Sequence, residues 1–137
     1  MDCGFSILIA DKNRNVRDFL RREFELEGYS VVLAGNHKEI FDCLNSTARP
    51  DLLILDLDIP YTGGLDVLMR IDRELYSLSI IVYTILTEYE HHPIVMKADA
   101  FVEKKGNPSF LKLVVSDVLR KRFASEAMNG ESHQLET

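Results

Sequence analysis

Four polar side chains, each at the end of a short apolar run, could together carry out chemistry. They are Asp11, Asp56, Thr84 and Lys104. Because the carboxyl ends of parallel strands line the crevice of an open α/β sheet, we expect all four to meet at one edge. Carboxylates beside a hydroxyl and an ammonium suit phosphoryl transfer to an aspartate, since the arriving oxygens need positive charge and hydrogen-bond donors.

The third of these runs places Asp56 most clearly. Leu52 to Leu55 is continuously apolar, which predicts a strand that is covered on both faces. Asp56 comes directly after it, and Asp58 follows two residues later, just ahead of Pro60. The alternative interpretation of Asp56 is a turn aspartate that caps the next loop.

The elements that position these residues alternate as strand and helix, which predicts a parallel sheet with helices on both faces. Strands are predicted at 5–10, 31–33, 52–55, 80–83 and 100–102.

Five helices are predicted between and after these strands. The first ends at Gly28, the second begins at an Asn36 cap supported by Glu39, and a short fourth helix starts near Pro93. The third follows a turn built on Gly63-Gly64. The apolar residues predicted to face inward from the third and fifth helices are Leu65, Leu68, Leu75, Phe110, Leu111, Val114, Val115, Val118 and Leu119.

The composition fits one globular domain of ordinary size. The 137 residues are 46% apolar and carry a formal net charge of -6. This acidity argues against direct binding to nucleic acid, which is bound through clustered Lys and Arg. The basic run 120–122 is interpreted as a helix end, and residues 123–137, which lack periodicity, as a flexible tail.

The chain lacks the features of a membrane or secreted protein. No apolar run reaches the length of a membrane span, and residues 1–4 do not resemble the start of a signal peptide, so we expect a cytoplasmic location. Cys3 and Cys43 have no CxxC spacing, which favours reduced thiols, with Cys43 filling the core.

Several motifs occur together in one order along the chain: residues 7–11, residues 50–56 with Pro60 and Gly64 beyond them, residues 82–84 and residues 98–104. In this order and spacing they resemble response regulator receiver domains, which accept phosphate from sensor histidine kinases. The resemblance covers residues 5–122. It implies a three-layer α/β/α, flavodoxin-like (βα)5 fold with a five-stranded parallel sheet in the order 2-1-3-4-5.

The resemblance also implies roles for individual residues. Asp56 would be the phosphoacceptor, Thr84 would supply a hydroxyl to the bound phosphoryl group, and Lys104 would pair with it. Phe101 would be the aromatic switch that moves inward as Thr84 approaches the phosphate. The implied function is signalling rather than enzymatic turnover.

One residue departs from the family pattern at the implied Mg²⁺ site. The resemblance implies that Asp11, Asp56 and the backbone carbonyl of Asp58 help to hold Mg²⁺. A second acid normally follows the first strand, but here Lys12 follows Asp11. Replacing a hard oxygen ligand by an ammonium should weaken Mg²⁺ binding strongly.

Three arrangements of Lys12 stay open from the sequence. Asp58 could add its carboxylate to the metal site. Lys12 could instead occupy the metal position and pair with Asp56, which would lower the pKa of that carboxyl. Lys12 could also point into water, as most lysines do.

The sequence leaves three alternative functions open for this chain. The first is a phosphoaccepting receiver served by a histidine kinase or phosphotransfer protein, with an unknown output protein, and with a second copy of the chain as a further candidate partner. The second is a pseudo-receiver, a binding module that Lys12 has removed from phosphoryl chemistry. The third is remote: Asp56 and Asp58 also resemble the DxD motif of haloacid-dehalogenase-type phosphatases.

Overall fold

The continuous apolar runs of the sequence form the centre of a five-stranded parallel sheet. The computed structural model describes residues 4–61 and 63–135, with side chains as far as residue 125. The strands are β1 (Ser6–Ala10), β2 (Ser30–Ala34), β3 (Leu52–Leu55), β4 (Ser79–Thr84) and β5 (Ala100–Glu103). Their order, β2-β1-β3-β4-β5, confirms the prediction. Every residue of β3 and β4 is buried, whereas the edge strand β2 is partly exposed.

Helices cover both faces of the sheet, as the alternating pattern predicts. They are α1 (Arg14–Leu26), α2 (His37–Leu44), α3 (Gly63–Arg70), α4 (Arg73–Tyr76) and α5 (Ser109–Leu135). α1 and α5 pack on one face through residues such as Phe24 and Val115. α2 and α3 pack on the other face through Ile40, Leu44 and Val67. The chain therefore has a separate apolar core on each side of the sheet.

Two predicted helix boundaries are confirmed by their local geometry. α1 gives way to Gly28, which has a φ of +95°. Asn36 caps α2, because its side-chain oxygen accepts the Glu39 N–H at 2.9 Å. The Glu39 carboxylate reaches back and accepts the N–H of Gly35 at 2.7 Å.

The prediction that Leu75 faces inward is wrong, because the helix that begins at Gly63 stops at Arg70. Asp72 then caps a separate one-turn helix, its carboxylate accepting the Leu75 N–H at 3.1 Å. Leu75 consequently leaves the face shared by Leu65 and Leu68 and is exposed.

The predicted short fourth helix near Pro93 is reduced to a single 3-10 turn. The segment 85–99 contains two three-residue 3-10 turns, Thr87–Tyr89 and Val95–Lys97. Only five residues separate Pro93 from Asp99, whose N–H already donates to the Ile80 carbonyl at 2.8 Å next to β5. The chain therefore has no room for a longer helix.

The last helix runs further than predicted. α5 continues past the basic run 120–122 to Leu135, so this run lies within the helix and does not close it. Leu111, Val115 and Leu119 are buried as predicted, but Phe110 in the first turn is exposed. Independent motion of residues 123–137 stays a prediction, and residues 136 and 137 lie outside the described part.

Two smaller predictions concern the cysteines and the membrane. Cys43 is a free, partly buried thiol packed beside the core of α2 and α3, and burial raises its pKa. Cys3 lies outside the described residues. Within the described part of the chain, no helix combines the length and the apolar character needed to cross a bilayer.

Candidate functional site

The strand ends bring the predicted polar residues together at the carboxyl edge of the sheet. Backbone bonds extend the ladder one residue past the strands: the Asp56 N–H donates to the Ala10 carbonyl at 3.0 Å, and the Lys104 N–H to the Thr84 carbonyl at 2.9 Å. The positions of Asp56 and Lys104 are thus set by the pairing of β3 with β1 and of β5 with β4.

Both oxygens of the Asp56 carboxylate are occupied. Oδ1 accepts the Thr84 hydroxyl at 2.8 Å and the Asp58 N–H at 3.0 Å. Oδ2 accepts the Lys104 ammonium at 2.7 Å. The structure therefore places Asp56, Thr84 and Lys104 in direct mutual contact, which sequence spacing alone only suggested.

Lys104 bridges two buried carboxylates. Its ammonium also contacts Asp11 Oδ2, and the side chains of Asp11 and Asp56 are only 3% and 6% exposed. Burial would lower the pKa of Lys104, but its hydrogen bonds to Asp11 and Asp56 outweigh burial and raise that pKa above 10.5. One ammonium thus holds two carboxylates together.

The charge state of Asp56 follows from a similar competition. Burial would raise the pKa of this carboxyl. The Asp58 N–H, the Lys104 ammonium and the Thr84 hydroxyl outweigh burial and hold the pKa below its ordinary value of 3.8. Asp56 is therefore an anion at neutral pH, with donors already placed around it.

The loop that carries Asp56 is held by a close backbone approach. The Gly64 N–H at the start of α3 donates to the Leu57 carbonyl at 2.9 Å. A Cβ on Gly64 would lie 2.6 Å from the Leu57 Cα, so only glycine fits. Of the two glycines in the predicted turn, only Gly63 has a positive φ, at +79°.

Asp11, Asp56, Thr84 and Lys104 form the pocket at this edge of the sheet, and Lys12 pairs with Asp58 at its mouth. Its Nζ lies 2.6 Å from Asp58 Oδ2, with the two side chains 52% and 46% exposed. The pKa of Lys12 is raised, chiefly by this hydrogen bond. The alternatives in which Lys12 binds Asp56 or points freely into water are both wrong.

The carboxylates as arranged do not fit a Mg²⁺ ion. Asp11 and Asp56 are both bound to Lys104, and the Asp58 carboxylate is bound to Lys12. Among the described side chains, no group of three or more His, Cys, Asp or Glu residues is placed to hold a metal ion. Mg²⁺ requires hard oxygen ligands in near-octahedral geometry, and here ammonium groups hold those oxygens.

Thr84 connects the pocket to the segment that follows β4. Its hydroxyl oxygen accepts the Leu86 N–H at 3.2 Å while its proton goes to Asp56. Phe101 is partly buried against a small apolar cluster that contains Leu57 and Val82. The predicted switch residue therefore lies beside the strand that ends in Thr84.

Sequence reasoning missed several residues that support the pocket. The Asn13 side chain caps α1, while its N–H donates to Asp11 Oδ1 at 2.8 Å. The Tyr83 ring lies 5.8 Å from Lys104 Nζ. An asparagine three residues before Val16 was a readable cap signal. Nothing in the sequence pattern distinguished Tyr83 from an ordinary core residue.

Comparisons with known proteins agree with this geometry. The family model of the response regulator receiver domain matches residues 7–116. Response regulator SaeR of Staphylococcus aureus is 28% identical over 118 residues, which are 84% of this chain and 50% of SaeR. The chain therefore spans about half the length of the curated relatives it matches.

Solved structures show the same fold. Response regulator TrrA of Thermotoga maritima, solved in complex with Mg²⁺-BeF, superposes with a TM-score of 0.76 at 31% identity, covering 86% of this chain and 99% of TrrA. A CheY-like receiver domain from Methanospirillum hungatei superposes with a TM-score of 0.80 at 23% identity, covering 88% and 98% of the two chains.

Proposed function

Because the chain belongs to the response regulator receiver domain family, we propose that it accepts a phosphoryl group on Asp56 and thereby changes a protein-binding surface. One observation carries this proposal: the two oxygens of Asp56 are met by the Thr84 hydroxyl at 2.8 Å and the Lys104 ammonium at 2.7 Å. These are the donors that a phosphoryl group attached to Asp56 would need.

The charges of the pocket suit a nucleophilic carboxylate. The lowered pKa of Asp56 keeps it ionised, and the raised pKa of Lys104 keeps an ammonium beside it. Lys104 would pair with the negative charge of the phosphoryl oxygens, while the Thr84 hydroxyl would donate to one of them. Asp11 would hold Lys104 in place through their ion pair.

The output of the pocket would pass through Thr84 and β5. When the Thr84 hydroxyl follows the phosphoryl group, its contact with the Leu86 N–H changes, and with it the start of the segment 85–99. Phe101 would respond by moving further into the cluster beside Val82. The two states would differ in population rather than in fold.

The partners follow from this function. The phosphoryl donor would be a sensor histidine kinase or a phosphotransfer protein, and the receiver of the signal an output protein that recognises the altered surface. The net charge of -6 favours a protein partner over nucleic acid. We also propose a cytoplasmic location and a role in signalling rather than in enzymatic turnover.

Intact-mass analysis after incubation with acetyl phosphate tests the proposal. We expect one phosphate adduct on the natural chain and none on Asp56→Asn. Asp42→Asn is the matched control, because Asp42 is an exposed acid that pairs with Lys38 on the surface of α2. An adduct that persists in Asp56→Asn would rule out Asp56 as the acceptor.

A second candidate, a pseudo-receiver without phosphoryl chemistry, is favoured by the Lys12 to Asp58 ion pair, which occupies the mouth of the pocket. This candidate predicts no adduct, and amide hydrogen exchange in the segment 85–99 that is identical with and without acetyl phosphate. Slower exchange there, together with an adduct on Asp56, would exclude it.

A further inference from the structure

The ion pair between Lys12 and Asp58 forms the outer layer of the pocket. Lys12 directly follows Asp11 in the chain, and the Asp58 N–H donates to Asp56 Oδ1 at 3.0 Å. The pair therefore adjoins both buried carboxylates. Its own two charges are 2.6 Å apart and half exposed, so they remain accessible to a phosphodonor.

The pocket already contains its own cations. Asp11, Asp56 and Asp58 contribute three negative charges, and Lys12 and Lys104 contribute two positive charges in direct contact with them. A divalent cation in the same place would have to displace an ammonium from each carboxylate that it bound. The near-balance of charge leaves little electrostatic attraction for such a cation.

We propose that the Lys12 ammonium, held by Asp58, takes the place of a divalent cation in this pocket, so that Asp56 is phosphorylated without Mg²⁺. The inference rests on the proposed function for its transfer step. In that step one oxygen of Asp56 attacks the phosphorus of acetyl phosphate. The new P–O bond forms as the bond to acetate breaks, and acetate leaves with the electron pair.

Two ammonium groups and one hydroxyl then face the transferred group. Lys104 and Thr84 already contact the two oxygens of Asp56, at 2.7 and 2.8 Å. Lys12 approaches from the Asp58 side and meets the charge that builds up on the outer phosphoryl oxygens. No proton, oxidant or further reactant is needed.

Binding of Mn²⁺, used as a probe of the divalent-cation site and followed by electron paramagnetic resonance of the free ion, tests the replacement directly. Lys12→Asp should lower the apparent Kd by about tenfold or more relative to the natural chain, because it frees Asp58 and adds an anion. The Kd of Lys12→Met should lie between the values of Lys12→Asp and the natural chain, and the Kd of Lys12→Arg should equal that of the natural chain.

The matched control is Lys121→Asp, which makes the same change of charge at an exposed Lys–Asp pair on α5. The neighbouring Arg122 contacts Asp51 ahead of β3, so this control lies at the opposite edge of the sheet. It should leave the Kd unchanged. Equal Mn²⁺ affinity in the natural chain and Lys12→Asp, or an equal gain in Lys121→Asp, would overturn the inference.

Intact-mass analysis with acetyl phosphate, in EDTA and in Mg²⁺, tests the transfer step. We expect the natural chain to give adduct yields that agree within about twofold, a far smaller change than the loss of a catalytic metal ion would cause. A Mg²⁺ requirement would overturn the inference and leave the proposed function intact. Absence of any adduct would instead overturn the proposed function and the transfer step, and the Mn²⁺ titration would still decide the replacement of the cation.

Discussion

The two edges of the sheet use the same residue types in opposite ways. At the amino edge, Asp51 precedes β3 and accepts the Ser6 N–H at 2.8 Å, and Asp99 precedes β5 and accepts the Ile80 N–H at 2.8 Å. Each has an arginine partner, Arg122 for Asp51 and Arg73 for Asp99. These carboxylates fasten one strand to the next.

At the carboxyl edge, two carboxylates share a single ammonium, that of Lys104. Asp11 and Asp56 are 3% and 6% exposed, whereas Asp51 and Asp99 are 31% and 35% exposed. At the carboxyl edge the carboxylates are buried and outnumber their cation, so the stability of this edge should be sensitive to any change in that cation. At the amino edge each carboxylate has its own arginine and is more exposed to water, so the loss of one cation should matter less. The carboxyl edge therefore holds its carboxylates with too few cations, and the amino edge holds each of its carboxylates with an arginine of its own.

The largest effect is expected from Lys104→Met, which leaves Asp11 and Asp56 buried without their shared cation. Loss of one partner from a buried ion pair costs about 3–5 kcal/mol. We therefore expect the free energy of unfolding, measured in urea near neutral pH, to fall by about that amount. Lys105→Met, which alters a lysine whose side chain is 74% exposed, is the matched control and should change it little.

The pH dependence of Lys104→Met gives a second readout. Without the ammonium, burial and the neighbouring Asp11 charge raise the pKa of Asp56 above that in the unfolded chain. A raised folded pKa stabilises at low pH and loses that contribution as pH rises. The variant should therefore recover stability from about pH 7 to about pH 5. A deficit that stays constant with pH would mean that the ionisation of Asp56 is not coupled to Lys104.

A smaller effect is expected from Thr84→Val, which keeps the shape of a fully buried side chain and removes its hydroxyl. The Leu86 N–H loses its acceptor and Asp56 loses a donor. We expect a loss of about 1–3 kcal/mol in the free energy of unfolding. Thr87→Val, at an exposed position in the same segment, should be close to neutral, and equal losses in both variants would contradict this assignment.

At the amino edge, Arg73→Met should cost only about 1 kcal/mol or less, because its pair with Asp99 is partly exposed and screened. The measurement is the urea midpoint at low and at high salt. The cost should shrink in high salt. A loss as large as that of Lys104→Met would erase the distinction between the two edges.

The smallest effect is expected in acid. Because the pKa of Asp56 is lower in the folded protein than its ordinary value of 3.8, Asp56 stabilises the fold above that value. Its contribution is lost as pH falls through the lower folded pKa. The stability difference between the natural chain and Asp56→Asn should therefore shrink from about pH 5 to about pH 3. If the stability difference instead grew in acid, the pKa of Asp56 would have to be raised, and not lowered, on folding.

The sequence predicted the backbone positions of the site residues better than it predicted their ion pairs. A buried strand is an apolar run that ends at a polar residue, so the positions of Asp56 and Lys104 could be predicted from the sequence. Lys12 could not be placed, because a long exposed side chain has many rotamers and no periodicity constrains its partner. Asp99 and Arg73 were missed for a related reason: they pair across 26 residues of chain without a local pattern.

The helices show where local patterns stop being informative. Leu75 looked like a continuation of the Leu65 and Leu68 stripe, yet the Asp72 cap starts a new helix and rotates it out of phase. α5 extends through residues 123–135, whose composition carries no amphipathic repeat. Helix caps and helix length depend on a few competing backbone bonds that hydrophobic periodicity does not report.

The backbone shape of this pocket depends on Gly64, whereas its charge depends on exposed side chains such as Lys12. A Cβ there would meet the Leu57 Cα at 2.6 Å and the Asp56 carbonyl oxygen at 2.9 Å, and neither atom can rotate away. Lys12, by contrast, is half exposed and could be exchanged without moving any backbone. An engineer could thus retune the cation preference of the pocket by single surface substitutions, while position 64 admits none that preserves the loop bearing Asp56.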